Sequence, residues 1–102
     1  MNELYTRFDS VFFEKTRLSI VTLLMQQGVQ SFNQLKDSLA LSDGALYTHM
    51  EKLLREDYIT KKKEVAGQNV QTVYAMSEKG RKEYLDYIVF LETLIRKTRE
   101  GS

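Results

Sequence analysis

Apolar residues recur at helical spacing along most of the chain and change to an alternating, β-branched pattern in one interval. Between residues 15 and 27, Leu18, Ile20, Val21, Leu23, Leu24 and Met25 are interrupted only by Arg17, Ser19, Thr22 and Gln26. Such a helix is apolar around most of its circumference and belongs at the centre of a fold. Gly28 stands where its C-terminal stop is expected. Ser31-Phe32-Asn33-Gln34 fits a capping box, the serine serving the third helical N–H and the glutamine reaching back. It predicts a short helix with Phe32, Leu35 and Leu39 on one face. Ser42-Asp43-Gly44 is a second N-terminal signature, with an acid facing the positive end of the helix dipole. The helix it opens spans about 42–56, and Leu46, Met50, Leu53 and Leu54 form its apolar stripe. Two short one-sided helices this close in sequence must pack at an angle against the central one.

From Tyr58 the period becomes that of strands. Residues 58–61 and 70–76 are rich in β-branched and aromatic side chains, with a turn at 66–69, so 58–76 predicts a two-stranded hairpin. Ser77 then caps a last helix over about 77–99. Leu4, Tyr5, Phe8, Val11, Phe12 and Phe13 are compatible with a further amphipathic helix at the start. The expected architecture is mainly α with a small β-hairpin, in one domain covering 1–102, a length that suits one domain better than two.

Composition narrows the chemistry. The 102 residues contain no cysteine and one histidine, leaving no disulfide framework, no thiolate nucleophile and almost nothing for a zinc site or a Ser-His-Asp triad. No nucleophile–base pair or phosphate-binding glycine loop is visible, so an enzyme is not expected, and neither metal nor cofactor is implied. No apolar run approaches the roughly 20 residues that span a bilayer. The N-terminus, with Glu3, Arg7 and Asp9, does not read as a secretory signal. The expected setting is the cytoplasm, away from membranes. Lys and Arg number 15 against 14 Asp and Glu. Any positive surface must therefore arise from local placement, because bulk charge does not supply it.

The order of helix, short helix, capped turn, helix, hairpin and helix is that of a winged helix-turn-helix. Three stretches carry a resemblance to a known group: residues 17–24, Phe32-Asn33-Gln34-Leu35, and 41–53. Together with Tyr58-Ile59 and the run 74–81 they resemble the small bacterial and archaeal regulators related to the ArsR and MarR groups. The resemblance implies a homodimeric, sequence-specific transcription factor that places one helix per subunit in a major groove of double-stranded DNA.

On the helix opening at Ser42, the groove-facing positions are Ser42, Gly44, Ala45, Tyr47 and Thr48, with Lys52 and Arg55 further along. Gly44 and Ala45 are small enough for close approach. Tyr47 and Thr48 carry hydroxyls, Thr48 a methyl for thymine, and Lys52 and Arg55 suit phosphates. The competing reading for each is a solvated surface position. Asp43 reads as a dipole partner, and His49, between Leu46 and Leu53, as packed against the core edge. In the hairpin, Lys61, Lys62 and Lys63 supply charge at the base, and alternation lets at most two point the same way. Lys61 and Lys63 are the candidates, alongside Gln68 and Asn69 at the tip. That tip is a departure, since related wings often carry arginines there. A lysine run is also a common edge-protecting device.

The last helix carries two apolar rows, Tyr84, Ile88, Leu91 and Ile95, and Tyr87, Phe90 and Leu94. One row is expected to pack on its own domain and the other on a partner subunit, which makes Tyr84, Tyr87, Ile88, Leu91, Leu94 and Ile95 the candidate dimer interface. A different class of function, a winged-helix protein-interaction module without direct DNA binding, is consistent with the uncharged tip. The sequence does not name an operator or a small-molecule effector.

Overall fold

The computed structural model describes residues 9–12 and 14–101. Among these described residues four helices and three strands follow one another: α1 (Lys15–Gln27), β1 (Gln30–Ser31), α2 (Phe32–Leu39), α3 (Asp43–Arg55), β2 (Ile59–Ala66), β3 (Asn69–Met76) and α4 (Glu78–Glu100). The expected N-terminal helix lies mostly outside the described residues. Of its apolar positions, Val11 and Phe12 are described, and both are buried in a turn.

Serines start three of the helices. Ser31 Oγ accepts from the Gln34 N–H at 3.1 Å while Gln34 Oε1 accepts from the Ser31 N–H at 2.8 Å, completing the capping box. Ser42 Oγ accepts from Ala45 N–H and Ser77 Oγ from Gly80 N–H, at 3.2 and 2.8 Å. Residues 40–42 make the whole connection between α2 and α3. It is short because Ala40 takes a left-handed conformation, φ 53°, and turns the chain at once.

The sequence predicts a hairpin, and the fold adds a third strand. β1 pairs antiparallel with β3, Gln30 opposite Tyr74 and Ser31 opposite Val73, giving the sheet order β1-β3-β2. β1 has only two residues, too few for a periodic signal, and Ser31 serves as both strand residue and helix cap. β2 and β3 are longer than the sequence pattern predicts and pair from Ile59–Met76 out to Ala66–Asn69. Gly67 and Gln68 alone turn the hairpin. Gly67, at φ 65°, supplies the positive φ that a two-residue turn of this kind requires at its first position.

The core lies where α1, α2 and α3 meet the root of the sheet and the first half of α4. Ile20, Val21, Leu35, Leu46, Met50, Leu53 and Phe12 are fully enclosed. Each buried aliphatic side chain of this size contributes about 1.5–3 kcal/mol. Burial of Leu46, Met50 and Leu53 fixes the rotation of α3 about its axis and so decides which of its residues face outward.

Candidate nucleic-acid interface

With its stripe turned inward, α3 leaves Ser42, Asp43, Gly44, Tyr47, Thr48 and Arg55 exposed and Ala45 and Lys52 half-buried. Tyr47 is the most prominent, 60% exposed despite its apolar ring. Thr48 is already engaged: its Oγ1 donates to the Gly44 carbonyl at 2.9 Å, one turn back. The hydroxyl proton is therefore occupied, and Thr48 presents its methyl and an acceptor oxygen. Lys52 lies 3.7 Å from Glu56 across one helical turn. Asp43 pairs with Lys36 of α2 at 3.1 Å, which holds the start of α3 to the preceding helix in addition to favouring its dipole.

The hairpin supplies the other wall. Register and alternation place Lys61, Lys63, Thr72 and Tyr74 on one face. Lys63 Nζ donates to Thr72 Oγ1 at 2.8 Å across the strands. Tyr47 closes this face against α3, and the three lysines, Thr72 and Tyr74 line a groove of about 360 Å³ with it. Among the described residues no carboxylate lines this groove. Burial pushes the Tyr74 phenol above its ordinary range, and the nearby Glu51 carboxylate adds to the effect. The phenol therefore stays neutral and able to donate at any physiological pH. The pairing of Lys61 and Lys63 was legible from alternation. Thr72 and Tyr74 were not, because only the cross-strand register brings them opposite the lysines. Gln68 and Asn69 sit exposed at the tip.

His49 is half-buried at the flank of α3, as its position between Leu46 and Leu53 predicts, but its neighbours are polar. Its Nδ1 lies 3.3 Å from Arg17 Nη1 and 3.4 Å from Glu14 Oε2. Arg17 Nε donates to the Val11 carbonyl at 2.8 Å. Glu14 caps α1, accepting from the N–H of Thr16 at 2.6 Å and of Arg17 at 3.4 Å. The cluster thus ties α3 to the start of α1 and to the turn before it. Burial alone would raise the Glu14 pKa, but the Thr16 hydrogen bond, His49 and Arg17 outweigh it, and the group lies below its ordinary value. A depressed carboxylate stabilises the fold above its unfolded-state pKa and loses that contribution as pH falls through the folded one. Glu14→Gln is therefore expected to cost about 1 kcal/mol near neutral pH. Urea melts of the two proteins should converge as pH falls through the folded-state pKa of Glu14, below which both side chains are neutral. A gap that stays constant as the pH is lowered would refute the assignment.

The candidate dimer residues divide differently from the two rows read in the sequence. Tyr84 and Tyr87 are buried by their own chain. Tyr84 Oη meets Thr22 Oγ1 at 2.9 Å, and both rings pack on Phe12, at centroid distances of 6.2 and 5.7 Å. Neither is available to a partner, which corrects their assignment. Ile88, Leu91 and Leu94 are half-buried, while Leu85, Val89 and Ile95 are exposed. At about 100° per residue, Ile95 returns to within about 20° of Tyr84, on the same side of the helix. It is nevertheless 52% exposed, and every residue from 95 to 101 is exposed, so α4 runs past the body of its own domain.

Among the described residues no helix is long and apolar enough to cross a membrane, and no three His, Asp or Glu side chains are grouped to hold a metal ion. The short α2–α3 connection, the outward face of α3 and the hairpin beside it define a winged-helix DNA-binding protein of the transcription-regulator class. The chain belongs to the winged helix DNA-binding domain family, whose sequence model matches residues 16–95. It is 35% identical over 78 residues to an uncharacterized protein of Methanocaldococcus jannaschii, a match covering 76% of this chain and 85% of that one. Its fold is similar to that of a transcriptional regulator homologue from Pyrococcus horikoshii OT3. The TM-score is 0.86 at 25% identity, over 96% of this chain and 98% of that one. A protein from Enterococcus faecalis V583 described as a MarR-family regulator gives 0.71 at 14% identity, over 91% and 86% of the two chains. Bacillus subtilis PadR, solved with operator DNA, gives 0.60 at 20%, over 70% and 45%. These last two likenesses concern the fold alone. They agree with the winged helix-turn-helix fold read from the sequence.

Proposed function

We propose that the protein is a homodimeric, sequence-specific regulator of transcription that lays α3 of each subunit in a major groove of double-stranded DNA. The observation that carries this reading is the lysine-lined groove between α3 and the wing, with an exposed Tyr47 at its edge. A major groove about 12 Å wide admits one helix, and the residues at that helix's N-terminal end meet the base edges. Ser42, Gly44, Ala45, Tyr47 and Thr48 occupy that end, with Thr48 offering its methyl and an acceptor. Lys61 and Lys63 approach the phosphates beside the groove, and Lys52 and Arg55 those nearer the C-terminal end of α3. Gln68 and Asn69 stand at the end of the wing. The distal half of α4, with Leu91, Leu94 and Ile95, meets its equivalent in a second copy, Ile88 flanking it. Two-fold symmetry then sets half-sites about one helical turn, roughly 34 Å, apart.

Salt-titrated binding to duplex selected from a random pool tests the reading. Four to six phosphate contacts predict a slope of log affinity on log salt of about −4 to −5. Tyr47→Ala should weaken binding to the selected site while leaving the melting curve unchanged, because the ring is on the wet side of α3. Absence of duplex binding even at about 50 mM salt would overturn the proposal in favour of a protein-interaction module.

A further inference from the structure

Away from α3 and the wing, the turn at residues 9–12 and α4 frame a small, half-open cavity of about 120 Å³. Asp9, Glu83, Asp86, Tyr87 and Phe90 line it, and among the described residues no Lys or Arg does. Three carboxylates thus share the cavity with two aromatic rings. Lys82 pairs with one oxygen of Asp86 at 2.8 Å, both side chains being exposed. Asp9 Oδ1 accepts from the N–H groups of Val11 and Phe12 at 2.7 and 3.1 Å. Its Oδ2 accepts only a long bond, 3.4 Å, from Tyr58 Oη. Among the described residues Glu83 has no ion-pair or hydrogen-bond partner. Tyr87 adds an independent signal: it is 5% exposed, and its buried hydroxyl has no hydrogen-bond partner. Such a group is rare in a native core and calls for an explanation. Burial pushes this phenol above its ordinary range and the Asp9 carboxylate adds to the effect, so the hydroxyl lies toward the Asp9 wall of the cavity.

We propose that this cavity binds the ammonium end of a small aliphatic amine. A primary ammonium carries three N–H donors. Acceptors with capacity to spare surround the cavity: Asp9 Oδ2, the Glu83 carboxylate and Tyr87 Oη. The Tyr87 and Phe90 rings, with centroids 5.9 Å apart, suit a cation as well. The carboxylates repel an anion. They are not grouped to coordinate a metal ion, which makes an organic cation the better occupant. The volume equals the share of about four water molecules in the liquid, so it takes the charged head and a short alkyl stem. The remainder of a longer amine projects through the open side. None of the five lining residues belongs to the interface of α3 and the wing, so the inference does not depend on the DNA-binding reading.

The test is titration of the full chain with n-butylammonium chloride at constant ionic strength, followed by amide correlation spectra. The amides of Val11, Phe12 and residues 83–90 should shift, with half-saturation at about 1 mM. Tetramethylammonium, equally charged but without N–H donors, should bind at least about tenfold more weakly. Tyr87→Phe keeps the ring and removes only the hydroxyl. Its melting temperature should equal or exceed the parent's, because an unpaired buried group is lost, while its affinity for butylammonium falls about tenfold. Glu83→Gln, at a half-buried position, should weaken binding by a similar factor with the fold intact. Absence of these shifts at about 20 mM amine, equal affinity for the two ions, or parent-like affinity in both variants would overturn the inference. Release of a second copy on adding the amine, read by sedimentation velocity, would place a lysine of that copy in the cavity and overturn it equally. None of these outcomes bears on duplex binding, which stands or falls by its own titration.

Discussion

Gly80→Ala is expected to destabilise the protein by about 3 kcal/mol or more, lowering its melting temperature by at least about 12 °C. A Cβ at position 80 would lie 1.9 Å from the Tyr58 carbonyl oxygen, 2.7 Å from its carbon and 2.9 Å from its Cα. All three atoms are backbone, so no rotamer change relieves the overlap. Either the first turn of α4 or the turn at residues 56–58 must move. Both are pinned: Ser77 N–H donates to the Tyr58 carbonyl at 3.1 Å, Ser77 Oγ to the Asp57 carbonyl at 2.6 Å, and Lys79 Nζ to the Glu56 carbonyl at 3.0 Å. The contact joins the end of α3 to the start of α4, so displacing it also shifts the reading helix relative to the overshooting one. Gly44→Ala is the control. A Cβ there meets nothing within 4 Å, and the change should stabilise the helix by about 0.5 kcal/mol. Differential scanning calorimetry of the two variants decides the matter. A Gly80→Ala protein melting within a degree or two of the parent would show that the approach of α4 to Tyr58 is not a constraint.

Ile95→Glu is expected to convert the proposed homodimer to monomer at micromolar concentration while leaving the fold intact. Position 95 continues the side of α4 that carries Tyr84, but it lies beyond the core that covers Tyr84. A glutamate there is harmless to the monomer and places two carboxylates near a symmetric seam. A buried unpaired charge costs several kcal/mol, which weakens association by orders of magnitude. Operator affinity should then fall by at least about a hundredfold, because the second half-site is no longer delivered at high effective concentration. Sedimentation velocity reads the first effect and a binding titration on full and half operators the second. A dimer unchanged by the substitution would place the interface elsewhere on the molecule. Leu91→Glu, which the sequence also points to, is the poorer test, because Leu91 packs in part against its own core.

The reading helix illustrates how far local information reaches. Ser42, the acid after it and the spacing of Leu46, Met50 and Leu53 predict the start, the end and the wet side of α3, and each of these agrees with the structure. All depend on interactions within about one helical turn, which the chain carries wherever it goes. The hydroxyl of Thr48 is narrower in use than the sequence suggests, since its bond to the Gly44 carbonyl leaves it to act as an acceptor. His49 marks the limit: its burial was legible from its neighbours on the helix, but its polar partners come from residues 14 and 17, more than 30 positions away.

Helix starts, helix faces and the existence of a hairpin were therefore determined by the sequence alone, because caps and periodicity act between residues a few positions apart. Tertiary structure decided the third strand, the register that sets Lys61 and Lys63 on the side of Tyr47, and the contact of Gly80 with Tyr58. It also decided that Tyr84 and Tyr87 are covered while Ile95 is bare. These features depend on where one element ends relative to another, and that relation exists only after the separate stripes have found a common core.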